Sequence, residues 1–136
     1  MPQLVENTNK FISNIEPTIT LQFNIDNDGN FLFYAKNNNV NIVLEKLSGF
    51  EYFIIAICLR LSFVTLTSSN IESQFIIDEG FTSCDKNHLQ KIPNFLESLL
   101  SMFDSIILVS HLEFINESIN NRFYIKNKKM NIGKEK

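Results

Sequence analysis

Cysteine, glycine and net charge are all in short supply in this chain, and each shortage closes off a class of function. Two thiols, Cys58 and Cys84, are too few for a disulfide framework or a zinc site, so reduced thiols in an intracellular protein are expected. The four glycines, Gly29, Gly49, Gly80 and Gly133, cannot build a G-x-x-x-x-G-K-[ST] loop, so these residues hold no such cradle for nucleotide phosphates. A net charge of −3 gives no global attraction to nucleic acid or to an anionic membrane, and any DNA contact would need a local patch. Residues 1–14 lack a basic start followed by an apolar stretch, so no secretory signal is expected. The most apolar segment, 53–66, is broken by Arg60 and is shorter than the roughly 20 residues that span a bilayer. A buried helix is expected there, and no membrane.

What is present suits one modest domain: 44% hydrophobic and 20% charged residues place the chain among soluble globular proteins. Leu4, Val5, Thr8, Phe11, Ile12 and Ile15 recur at helical spacing ahead of Pro17. Residues 1–16 thus read as an amphipathic helix, either docked on the core or the stump of a coiled-coil arm. Three short strands follow, near 19–25, 31–35 and 40–44, with turns at Asp26–Gly29 and Asn37–Asn39; they predict a small antiparallel layer. From Ser48 the pattern alternates helix, strand, helix, strand, helix, strand, with one helix over 87–103, a short one through Phe114 and Ile115, and a last strand at 122–125. That order predicts an α/β fold with a largely parallel sheet and flanking helices. Residues 17–126 form the domain proper, and 127–136 read as a disordered basic tail.

The chemistry gathers at the strand ends. Phe75-Ile76-Ile77 is a strand apolar on both faces that stops at Asp78 and Glu79, where α/β sheets bind ligands. Asp78 is suited to hold a hard cation such as Mg2+, and Glu79 to position or deprotonate water. Ile106-Ile107-Leu108-Val109 is a second such strand, ending at Ser110-His111, so His111 is expected on the same edge as Glu79. Ser110 lacks the Gly-x-Ser-x-Gly elbow of a hydrolase nucleophile. Ser48 and Glu51 have the spacing of a capping box, and Gly49 between them opens the helix start to an anion.

Taken in order, Leu47-Ser48-Gly49-Phe50-Glu51, Phe75 to Glu79, Thr82-Ser83-Cys84-Asp85 and Val109-Ser110-His111 resemble the signature motif, Walker B, D-loop and H-loop of an ABC/SMC-type ATPase head. Asp78-Glu79-Gly80-Phe81 followed by Asp85 is most similar to the SbcC-type double-strand-break repair ATPases. The likeness spans roughly residues 40 to 126 and implies half of a P-loop NTPase head, its carboxyl-terminal lobe. It implies ATP and Mg2+ as ligands, with Glu79 the catalytic base, His111 the γ-phosphate switch and Asp78 the magnesium-side acid. Ser48, Gly49, Glu51 and Asp85 would be ATP-binding, with Ser48 and Gly49 reaching nucleotide on the opposing head and Asp85 at the dimer seam.

The implied partners are an amino-terminal Walker A lobe from another chain, a second head, an SbcD-type nuclease and DNA. The implied location is intracellular, wherever the DNA is. Phe50 stands where the family usually has a second glycine and is expected either to hinder phosphate approach or to pack on the facing head. A lobe that completes an ATPase, inactive alone, is the first reading; an inactive or regulatory lobe that docks on an intact head is the alternative.

Overall fold

The computed structural model describes residues 1–67, 74–82, 84–112, 119, 121–126 and 129–132. Helix α1 (Pro2–Ser13) turns Leu4, Val5, Thr8 and Ile12 inward against the long helix α2 (Gly49–Thr67). Two buried hydroxyls pin this contact, those of Thr8 and Ser62, 3.0 Å apart. Each also reaches the carbonyl one turn back in its own helix, Leu4 at 2.7 Å and Cys58 at 2.8 Å, so neither group is buried without a partner.

Strands β1 (Ile19–Ile25), β2 (Phe31–Asn37) and β3 (Val40–Val43) form the expected antiparallel layer in that order. The Asp26 carboxylate closes the first turn, accepting from the Asp28 and Asn30 N–H groups at 2.9 and 2.8 Å. Asn38 and Asn39, at φ 46° and 68°, supply the left-handed pair that a two-residue hairpin needs. Edge strand β1 is not left bare. The Asn9 amide of α1 accepts from the Leu21 N–H at 2.7 Å and donates to the Leu21 carbonyl at 2.9 Å, as a neighbouring strand would.

A 3-10 turn, Leu44–Lys46, leads into α2, which is long and apolar enough to cross a bilayer. In this fold it is the core helix, burying Phe50, Ile54, Ile55, Ile57, Cys58, Leu61 and Ser62. Strands β4 (Gln74–Asp78) and β5 (Ser105–Val109) pair in parallel, with Asp78 opposite Val109. Between them lie α3 (Lys86–Leu89) and α4 (Ile92–Leu100), where the spacing predicts a single helix. Pro93 divides it, because its ring has no N–H to donate and crowds the turn before it.

Phe75, Ile77, Ile106 and Leu108 of the parallel pair pack on the core. Alternation puts Ile76, Ile107 and Val109 on the other face, where they are 62%, 43% and 47% exposed. No described element covers that face.

Strands β6 (Phe123–Lys126) and β7 (Lys129–Ile132) form an antiparallel hairpin, which corrects two expectations. The last apolar strand does not join the parallel sheet, and the segment 127–136, expected to be a disordered tail, contains β7. Lys129-Met130-Asn131-Ile132 alternates with the period of a strand, and Ile125 sits opposite Met130. The expected helix through Phe114 and Ile115 lies outside the described residues.

Replacing Asn9 by Ala strips two hydrogen bonds from the edge strand and should lower stability by about 1–3 kcal/mol, read from urea unfolding. An unchanged midpoint would show that water serves the Leu21 peptide equally well.

Candidate functional site

The chain leaves β4 through a backbone conformation that ordinary residues avoid. Glu79 donates its N–H to the Val109 carbonyl at 2.8 Å, extending the parallel ladder by one bond, and then turns at φ 50°. A left-handed glutamate costs on the order of 1 kcal/mol or more, and such strain gathers where a side chain must be aimed. The turn is held from below. Thr82 donates its hydroxyl to the Glu79 carbonyl at 3.1 Å, and Phe81 is buried edge-on against Phe53 of α2, with centroids 5.0 Å apart. Gly80 lies so close to Phe53 that an added Cβ would collide with the ring. Only glycine lets this turn seat on α2.

On the neighbouring strand, the Ser110 hydroxyl accepts from the Leu112 N–H at 3.1 Å, a small turn that sets the direction of the chain at His111. His111 Nδ1 then lies 2.8 Å from Glu79 Oε2, with both side chains open to solvent at 69% and 45%. The two residues expected on one edge are thus in contact. Asp78, one residue earlier, is exposed on the outer face and makes no side-chain hydrogen bond or ion pair among the described residues. It shares a shallow cleft between α2 and β4 with Arg60.

The start of α2 forms the reciprocal cap that its sequence predicts. Glu51 Oε2 accepts from the Ser48 N–H at 2.9 Å, and Ser48 Oγ accepts from the Glu51 N–H at 3.3 Å. Glu51 Oε1 accepts from Asn37 Nδ2 at 3.2 Å, so both oxygens of this carboxylate serve the fold. Phe50 departs from expectation. Its ring neither obstructs the helix start nor faces outward, but is 1% exposed and stacked on His88 with centroids 3.9 Å apart.

Asp85 caps α3, accepting from the His88 N–H at 2.9 Å. That backbone bond, outweighing a small desolvation and aided by the His88 charge, holds the Asp85 carboxyl below its ordinary value. Beside it, burial first and the Asp85 charge second push the Cys84 thiol up to about 11. His88 is the contact that the sequence leaves unassigned; its signal is the Asp-x-x-His spacing at a helix start.

No cluster of three His, Cys, Asp or Glu residues able to hold a metal occurs among the described residues. A single free carboxylate such as Asp78 still fits Mg2+, which keeps most of its waters and takes one or two protein oxygens beside substrate phosphates.

No family model matches the chain. Over 116 residues it is 31% identical to the SbcC component of the SbcCD nuclease of Clostridium acetobutylicum, a match that takes in 82% of this chain and 10% of that protein. It is 39% identical over 75 residues to the component of the same name from Pseudomonas aeruginosa, a match that takes in 54% of this chain and 6% of that one. The chain therefore spans about a tenth or less of the length of these relatives. In fold it matches a chain from work on ATP-driven dimerization and DNA-stimulated activation of SMC ATPases, with a TM-score of 0.76 at 10% identity. That match covers 97% of this chain and 83% of the neighbour, a solved chain of much the same extent.

Two outcomes test the site. Glu79→Gly should relieve the left-handed strain and raise stability by up to about 1 kcal/mol in thermal unfolding; a loss would mean the side chain itself holds the turn. Iodoacetamide should modify Cys84 slowly at pH 8 and roughly tenfold faster per pH unit up to about 11, while Cys58, buried and pushed up to about 12, should stay unmodified until unfolding. Fast alkylation of Cys84 at pH 7 would overturn this assignment.

Proposed function

This chain belongs to the SbcC/SMC-type ATPase heads, and from that premise we propose that it is the carboxyl-terminal lobe, completing an ATP-hydrolysing site with a Walker A lobe from outside these residues. The observation that carries the reading is the 2.8 Å contact between Glu79 and His111 at the ends of two paired parallel strands. A carboxylate and an imidazole converging at a strand end are the groups that a water-attack mechanism needs.

The roles follow from which atoms are spoken for. With Glu79 Oε2 held by His111, Oε1 is left to take the proton of a water as that water attacks the γ-phosphorus and the bond to the ADP oxygen breaks. With Nδ1 turned to Glu79, the other ring nitrogen of the exposed His111 is left for the terminal phosphate. Asp78 would hold Mg2+, which when bound neutralises phosphate charge. Ser48 and Gly49, at the positive end of a 19-residue helix, would meet the phosphate held by the facing head. Glu51, whose two oxygens accept from Asn37 and Ser48, would serve that contact by holding the helix start in shape. Burial of Phe50 in its own core removes the steric objection to this trans contact.

The missing lobe has a place to sit. Ile76, Ile107 and Val109 form an outward apolar face on a parallel sheet, an arrangement that proteins cover on both sides. Burying what these half-exposed side chains still show to solvent yields about 1 kcal/mol each. The SbcC proteins similar to this chain are named as parts of a nuclease, which supports DNA repair or recombination as the setting and a nuclease of SbcD type as partner.

The purified chain should show no ATP turnover alone and gain it when mixed with a Walker A lobe of SbcC type. Glu79→Gln should then cut turnover by about 10²–10⁴-fold while ATP binding persists, and Ile107→Lys should block assembly without unfolding the chain. Turnover indifferent to Glu79→Gln would remove the catalytic assignment.

A further inference from the structure

The imidazole of His88 meets three side chains from separate elements, none belonging to the Glu79–His111 pair. Phe50, in the first turn of α2, stacks on its face with an interplanar angle of 25°. Nδ1 lies 3.0 Å from Asp85 Oδ1, and Nε2 lies 3.9 Å from Oε2 of Glu16, just beyond α1. Lys91, at the start of α4, completes the group with Nζ 2.7 Å from the same Glu16 oxygen. Burial works to raise the Glu16 carboxyl, but hydrogen bonds from Lys91 and Thr18 and the charges of Lys91 and His88 outweigh it and hold it below its ordinary value.

We propose that His88 is a positioning residue that couples the end of α1 to both the Ser48–Phe50 helix start and the Asp85 turn, so that a displacement of α1 is delivered to each. The proposal rests on the ATPase-head reading for its consequence, since those two turns are the ones assigned to the nucleotide and the facing head. Its geometry stands apart from that reading. An imidazole offers a flat face for the Phe50 ring and two edge nitrogens aimed at different carboxylates, a combination that no aliphatic or hydroxyl side chain provides. Phe50 is wedged in the core, so the stack gives His88 a fixed seat. Asp85 is exposed and held by the backbone and ring of His88, so it moves when His88 moves. Glu16, at 13% side-chain exposure, is the link on the α1 side, with Lys91 bracing it.

Amide hydrogen exchange on the full chain tests the coupling at four bonded N–H groups: those of Glu51 and Tyr52 at the α2 start, and those of His88 and Leu89 on Asp85. Glu16→Gln should speed exchange at all four by about fivefold or more in the native background. In a His88→Ala background the same substitution should add less than about twofold. His88→Phe keeps a stacking ring but neither edge nitrogen, and should behave as His88→Ala does; circular dichroism melts check that each variant folds. An equal Glu16→Gln effect without His88, or native behaviour of His88→Phe, would overturn the proposal, since packing alone would then explain the cluster. In the head assembled with its Walker A lobe, His88→Ala should lower kcat with KM little changed. An assembled native head without turnover would sink the ATPase reading and leave the exchange result to judge the coupling by itself.

Discussion

The parallel ladder between β4 and β5 is the constraint from which the site follows. Its register sets Asp78 against Val109, and the Glu79 N–H adds one bond to the Val109 carbonyl before the chain turns away. Both strands therefore end at the same level, and the turns at Glu79 and Ser110 bring Glu79 and His111 into contact. A slip of β4 by one residue would send Phe75 and Ile77 out of the core and carry Ile76 and Asp78 in. Ile76 could replace Ile77 in the core at little hydrophobic cost, but Asp78 shares its face, and burying that unpaired carboxylate is the term that forbids the slip. The level at which Glu79 and His111 leave the sheet is thus set by which residues of the two strands can be buried, and the turns after each strand complete their placement.

Helix α2 distributes that order to the rest of the molecule. Its first turns carry two phenylalanines with different duties. Phe53 receives the Gly80–Phe81 turn that follows Glu79, and Phe50 receives His88 and with it the Asp85 turn. One helix start therefore fixes the depth of the acid turn and of the capped turn. The capping box of Ser48 and Glu51 keeps that start from fraying, and Asn37 ties it to the antiparallel layer. The polar pair Thr8–Ser62 marks the register of α1 on α2, because a shift would break this bond between the two helices and set each hydroxyl against apolar neighbours.

Much of this could be read from residue order alone, and the failures have specific causes. The uninterrupted runs 75–77 and 106–109 gave their strands away, as did the Asp-Gly and Asn-Asn turns of the antiparallel layer and the Ser-x-x-Glu box. Period and turn chemistry are local, so they survive into the fold. The split of the helix at Pro93 was visible as a proline but not as a break, since the second helix begins with it at a tolerated position. Strand β7 was hidden by lysines, whose count masked an alternating Met130 and Ile132. The burial of Phe50, the left-handed turn at Glu79 and the seating of His88 were illegible for one shared reason. Each depends on a partner distant in the chain, and no local pattern encodes which ring lies beneath which.

That distinction bears on how the site can change in evolution. The Glu79–His111 pair stands on backbone register and on the turns that follow each strand, so its geometry tolerates substitutions that keep the two strands apolar on their inner face and leave Gly80, Phe81, Thr82 and Ser110 in place. The helix start is different. A ring at position 50 fills space that must be matched by something flat above it, and here the match is an imidazole that also holds Asp85. Shrinking Phe50 leaves a cavity beneath His88, and replacing His88 leaves a buried ring with no seat above it and a carboxylate held by backbone alone. Position 50 and position 88 therefore vary together or lose stability together. The ring at the helix start is thus matched by His88, a residue distant in the chain that belongs to no recognisable motif.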